Sequence, residues 1–332
     1  MARGKGHKKY EWFENHVKLK WTADDNDDGG PEMANQPYSD SVYIDVAQCL
    51  SLLNRKLVRQ GQIFRIRNMR FYTNDTSPNS TIKVGVIPRT WVTRNAWVKA
   101  KALWDKMNAL AAEDVSGTAI YPKWHDFKVY MDYNHYTEET ATGGDRNLLP
   151  VDFDDDAISE GEWVYSEFCD SGSDSDEYYV GMMDDYVGST GAWSYVGLIQ
   201  AYGDSRSRPQ TSATMDEGIL DADFETSPWA RLFGDDDQTQ QVLQHLDDKN
   251  DHPPYHRTKY IGGEDFDDGT CVGFTRVQSL NQTSGTGTFS LPSFNAPCGL
   301  IRVEWDAEEA GGDPQQPMHI MFDVDILAPM DA

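Results

Sequence analysis

The stretch Ser80–Asn108, STIKVGVIPRTWVTRNAWVKAKALWDKMN, decides how the rest of the chain is read. In Thr81–Ile87 the apolar Ile82, Val84 and Val86 alternate with Thr81, Lys83 and Gly85, the period of a half-buried strand. Pro88 has no N–H to give to a ladder, so the strand stops there. A helix follows, with Thr93 or Asn95 as its cap. Trp97, Ala100, Trp104, Met107 and Ala111 recur at three- and four-residue spacing and form one apolar stripe. A tryptophan-faced helix is thus expected to pack on a sheet across a proline turn, with strands on both sides of it in the chain.

Outward from this stretch, the strands are the more numerous element. Gln62–Thr73, QIFRIRNMRFYT, reads as a strand with Phe64 and Ile66 on one face and Arg65 and Arg67 on the other. Arg55, Lys56, Arg59 and Arg70 add to a basic cluster around it. Ser41–Asn54 has mixed periodicity and reads as a short helix. Further strands are expected at Trp124–Tyr133, Glu162–Cys169, Tyr178–Met183, Trp193–Tyr202, Thr270–Leu280, Gly287–Leu291, Leu300–Asp306 and His319–Leu327. Ser227–His245 reads as a second helix, with Ser227 as cap and Pro228 at its first position. Roughly nine or ten strands with two helical insertions do not alternate as a parallel α/β fold does. The expected fold is all-β: a single antiparallel sandwich of the jelly-roll kind. Residues 1–36 form a basic arm and an acidic loop, and 37–332 form one domain with helical insertions near 93–112 and 227–248.

The 332 residues carry a formal net charge of −26, unevenly spread. Residues 1–130 hold 20 Lys and Arg against 14 Asp and Glu; the remainder hold 9 against 41. One part suits contact with a polyanion, and the other is a strongly solvated surface of the kind salt-adapted proteins carry. Cys49, Cys169, Cys271 and Cys298 are too widely spaced to suggest a disulfide framework or a zinc knuckle. The charged first residues predict no secretory signal, and no apolar run predicts a membrane span.

The first twenty residues, MARGKGHKKYEWFENHVKLK, set Arg3, Lys5, Lys8, Lys9, Lys18 and Lys20 among Tyr10, Trp12 and Phe13. Cations can neutralise phosphates and aromatic rings can stack bases, so this arm is a candidate nucleic-acid contact, with Arg65 and Arg67 as secondary candidates. Asp24, Asn26, Asp28 and Gly29 match the first half of a calcium loop, but Asn35 stands where the bidentate Glu belongs. Calcium is the one cofactor suggested, and weakly. His252 and His256 have metal-ligand spacing but flank Pro253 and Pro254 with no cysteine close by. Trp163 beside Glu160 and Glu162 could line a sugar cleft or be a strand residue beside solvated acids. No nucleophile elbow, P-loop, zincin or dinucleotide fingerprint is present, and no reaction is named.

The basic aromatic arm, the Arg-bearing strand, VIPRTWVTRNAW at Val86–Trp97 and KWHDFKVYMDY at Lys123–Tyr133 together resemble capsid proteins of small viruses with circular single-stranded DNA genomes, the bacilladnavirus-like and related environmental groups. The resemblance covers about the first 130 residues. It implies a non-enzymatic jelly-roll subunit that assembles with copies of itself into an icosahedral virion. Genomic nucleic acid would be its other partner, met by Arg3, Lys5, Lys8, Lys9, Lys18 and Lys20. Two other expectations compete with it. One is a salt-adapted β-sandwich enzyme or carbohydrate-binding protein with acidic calcium-binding loops; the other is a phage tail or adhesin component.

Overall fold

The structure, a computed structural model, describes residues 13–21, 38–73, 80–114, 124–141, 147–169, 177–189, 192–204, 274–280, 287–307 and 317–331. The expected helix at 227–248, the half calcium loop, His252, His256, Arg3, Lys5, Lys8 and Lys9 lie outside these residues.

The first four strands are β1 (His16–Trp21), β2 (Tyr38–Asp45), β3 (Gln62–Thr73) and β4 (Ser80–Val86). The last five are β9 (Phe274–Leu280), β10 (Gly287–Leu291), β11 (Phe294–Pro297), β12 (Leu300–Ala307) and β13 (Met318–Pro329). The two sets pair antiparallel from the ends inward: β1 with β13, β2 with β12, β3 with β10, β4 with β9. Further pairing of β13 with β3 and of β12 with β4 joins these ribbons into two sheets, ordered β1-β13-β3-β10 and β2-β12-β4-β9, with β11 also on β3. Successive strands of the first set therefore alternate between sheets.

Period-2 alternation gives each sheet an apolar inner face. Leu19, Trp21, Phe64, Ile66, Phe71, Ile320 and Phe322 from sheet one meet Val42, Ile44, Ile82, Val84, Val303 and Trp305 from sheet two in one buried cluster. Trp21 and Trp305 cross the gap edge to face, centroids 5.8 Å apart. The described chain is an all-β sandwich with antiparallel sheets and helical additions.

Most of the segment described between β4 and β9 covers the outer face of sheet two, and its residues 150–158 run along β1 of sheet one, where the Val151 N–H donates to the Lys18 carbonyl. The segment comprises α2 (Trp91–Asp114), α3 (Tyr133–Ala141), β5 (Glu167–Cys169), β6 (Glu177–Gly181), β7 (Val187–Ser189), β8 (Ala192–Gly197) and α4 (Leu198–Asp204). The four strands form a third sheet, β5-β6-β8-β7, in which β6 and β8 run parallel. Most of the expected stripe of α2 is realised: Trp97, Ala100 and Trp104 are buried with Phe127, Met131 and Met183 in a second cluster that reaches Tyr43 and Leu300 of sheet two, Met107 packs against it partly buried, and the Ala111 side chain lies outside the described residues. Gly61 lets Trp97 in; a Cβ there would lie 2.3 Å from the indole ring.

Several boundaries differ from expectation. Helix α2 begins at Trp91, because Thr90 Oγ1 accepts from the Thr93 N–H at 3.2 Å and caps it ahead of Thr93 and Asn95. Ser41–Asn54 is the end of β2 followed by α1 (Val46–Asn54), with Asp45 as cap. Trp124–Tyr133 is not a strand: only Tyr130 makes a β-bridge, to Gly181, and Tyr133 opens α3. Glu162–Cys169 is strand only over its last three residues, and Trp193–Tyr202 turns into α4 after Gly197. The last residues of the basic arm are β1, since Val17, Leu19 and Trp21 alternate inward there.

Candidate nucleic-acid interface

Inward-facing apolar residues fix what the outer face of sheet one carries. Lys18 and Lys20 project from β1, and Arg65 and Arg67 from β3. In β3 the buried positions step from Ile66 to Met69 across Asn68, whose φ of 51° accommodates an extra residue opposite the Asp323–Met321 step of β13. The bulge keeps Arg70 on the outer face with Arg65 and Arg67. The structure thus brings four of the expected residues to one surface and adds Arg70.

The two basic columns are not adjacent. Strand β13 lies between them and presents acids: Asp323 stands opposite His16 and Arg67, and Asp325 opposite Arg65. Arg67 Nε meets Asp325 Oδ2 at 2.9 Å, His16 Nδ1 meets Asp323 Oδ1 at 3.0 Å, and Lys18 pairs with Asp155. The hydrogen bond from His16 holds the Asp323 carboxyl below the usual carboxylate range. Arg65, Arg70 and Lys20 make no such pair among the described residues, and both arginines are exposed. The strands and Asp155 set five cations against three carboxylates on this face, and Asp152, Asp154 and Asp156 share the loop of Asp155 at its β1 edge. Arg55, Lys56 and Arg59 fall elsewhere, at the end of α1: Lys56 Nζ lies 4.8 Å over the Phe13 ring, and Arg59 Nη1 donates to Asp126 Oδ1 at 2.9 Å.

Sheet two's outer face is charged as well, but closed. Arg302 Nη1 donates to Asp132 Oδ2 at 3.0 Å, and its Nη2 reaches Glu304 Oε1 at 2.9 Å. Asp132 Oδ1 also accepts from Tyr43 OH at 2.7 Å and from the His135 N–H at 2.8 Å, which starts α3. The His135 ring stacks on Tyr43 at 4.3 Å, and its Nδ1 accepts from the Met131 N–H. That fixes Nε2–H as the donor to Asn147 Oδ1 at 3.1 Å. Asn147 Nδ2 donates to Tyr165 OH, which donates to Asp45 Oδ2; Gln60 and Trp163 donate to the same carboxylate. Burial pushes Asp45 and Asp132 up to about 6 and holds His135 neutral, down at about 3. Asp45, Asp132 and His135 are fully buried, so this network orients the insertion on the sandwich and offers no substrate a path. Sequence reasoning missed it, since Arg302 and Asp132 are 170 positions apart.

Among the described residues, no group of His, Cys, Asp and Glu is arranged to hold a metal, and no helix is long and apolar enough to cross a membrane. No protein-family model matches the chain, and no curated protein or solved structure matches it.

Proposed function

We propose that this chain is a structural capsid subunit: a jelly roll that assembles with copies of itself into a closed virion shell around a single-stranded DNA genome. The observation that carries the reading is the strand order. Pairing β1·β13, β2·β12, β3·β10 and β4·β9, split into β1-β13-β3-β10 and β2-β12-β4-β9, is a four-ribbon antiparallel hairpin rolled into two sheets. This order supports a double Greek-key roll, an architecture of viral capsid and lectin domains. The exposed cations of sheet one support a genome-facing surface, and the acidic excess after residue 130 supports a solvated outer one that keeps particles dispersed.

Sedimentation velocity of the full chain, with and without single-stranded DNA, followed by negative-stain imaging of any fast species, tests this. Closed shells of one size are expected, with DNA promoting their formation. A persistent monomer of 37.5 kDa, indifferent to DNA and salt, overturns the reading and favours a carbohydrate-binding sandwich.

A further inference from the structure

Strand β1 is entered beside the end of α1. The Glu14 N–H donates to Asn54 Oδ1 at 2.7 Å, and Asn54 Nδ2 donates to the Glu14 carbonyl at 2.8 Å, while Lys56 sits over the Phe13 ring. Next to this junction opens a cleft of about 230 Å³ whose walls include Arg55, Lys56, Trp124, Lys128, Glu162 and Trp163. Its charge is positive, with three cations and one carboxylate among the lining side chains. The Trp163 ring is held in place: its Nε1 donates to Asp45 Oδ2 at 3.2 Å, and Lys128 Nζ lies 4.8 Å over its face. Trp124 stands at the rim, 58% exposed.

Arg55 occupies a costly position. Helix α1 closes with the Lys56 N–H on the Ser51 carbonyl and the Arg55 N–H on the Leu52 carbonyl, a left-handed turn that glycine or asparagine usually fills. Arg55 adopts φ 50° instead, against the preference of an L side chain, and its side chain ends up at the cleft. Residues 1–12, with Arg3, Lys5, Lys8 and Lys9, are joined to the fold through Phe13 at the same place.

We infer that this cleft binds one nucleotide unit of a single-stranded nucleic acid, with the base stacked on Trp124 and the phosphate held by Arg55 and Lys56. The inference rests on the genome-binding reading above and gives the strand a contact separate from the outer face of sheet one. Aromatic stacking accepts any base, and two cations beside it neutralise the backbone, so the site selects single strands without reading sequence.

The test is fluorescence anisotropy of a labelled twelve-residue oligo-dT against the full chain over a salt series. Arg55→Gly relieves the left-handed strain, so the variant melts at or above the native temperature, yet it binds dT roughly fivefold to tenfold more weakly, with a salt slope shallower by about 0.7. Trp124→Ala, at an exposed rim, weakens binding about tenfold and leaves the slope unchanged. If both variants bind like the native chain while the double variant Arg65→Ala/Arg70→Ala binds more weakly, the cleft is overturned and genome binding stands. If the native chain binds no dT even at low salt, genome binding falls and the cleft inference falls with it. Binding of a sulfated oligosaccharide, lost in Trp124→Ala, without binding of dT overturns the nucleic-acid assignment.

Discussion

The two sheets use the same device on their outer faces and obtain opposite results. Each sets an arginine against aspartate or glutamate. On sheet one, the Arg67 and Asp325 side chains are 42% and 40% exposed; on sheet two, Arg302 and Asp132 are 6% and 0% exposed. The insertion between β4 and β9 makes the difference, since it covers one face and meets the other only at its β1 edge, where Asp155 pairs with Lys18. In water such a pair is screened and contributes little, so its charges stay available to an approaching polyanion. Under the insertion the charges are fixed by mutual bonds and available to nothing else. There they specify how α3 and the segment before it seat on β2 and β12.

The sharpest way to break this comparison is Arg302→Met. It leaves the buried Asp132 and the nearly buried Glu304 without their guanidinium, and removal of one partner from a buried pair costs about 3–5 kcal/mol. Urea unfolding is expected to show a loss of that size, and Arg67→Ala a loss under about 1 kcal/mol. Equal losses at the two positions would show that the cover has no electrostatic consequence.

A smaller effect separates burial from pairing. Asp45 is fully buried and accepts hydrogen bonds only from neutral donors, namely Gln60, Trp163, Tyr165 and the first N–H groups of α1, with the Lys128 ammonium as a charged neighbour. Burial raises its pKa from 3.8 to about 6. The folded state therefore holds a proton that the unfolded chain has released. This stability is present in full below about pH 4 and is lost as the pH rises through 6. Asp45→Asn has no such proton. Compared with the native chain it is expected to fall further behind at pH 4.5 than at pH 7, by about 2 kcal/mol, as read from urea midpoints at both pH values. A gap that narrows toward pH 4.5 would mean that Asp45 is held ionised in the fold.

What could be read from the chain follows the same division. Strands β3 and β10 run as expected to the residue, because each carries its period-2 signal in adjacent positions. The shared face of Arg65 and Arg67 follows from that period as well, whereas Lys18 and Lys20 join it only through the pairing of β1 and β3 with β13. In His16–Trp21 the same alternation includes Lys18 and Lys20, whose charge suggests the end of a basic arm. Trp124–Tyr133 misleads because Asp126–Asp132 is buried throughout and mixes a few backbone bonds, such as the Tyr130 N–H to the Val180 carbonyl, with bonds to distant side chains. The Val129 N–H donates to Gln60 Oε1 at 2.7 Å, and the Lys128 N–H to Ser166 Oγ at 3.0 Å. Nothing local encodes those partners. Nor could one strand reveal that β13 would set Asp323 and Asp325 between the basic columns, since that follows from the pairing of chain ends.

Those two aspartates set up the smallest and most discriminating measurement. Arg67→Ala, Asp325→Ala and the double variant form a cycle whose coupling reports the exposed pair alone. A coupling of about 0.2–1 kcal/mol is expected at low ionic strength, fading toward zero in 1 M salt. The Asp325→Ala variant should also bind single-stranded oligo-dT more tightly than the native chain, because it removes the acid opposite Arg65 and frees Arg67. Tighter binding with almost no change in stability would make the open face a surface where acids temper affinity at little cost to the fold. A coupling of several kcal/mol would place Arg67 with Arg302 as a structural charge, and the contrast between the two faces would collapse.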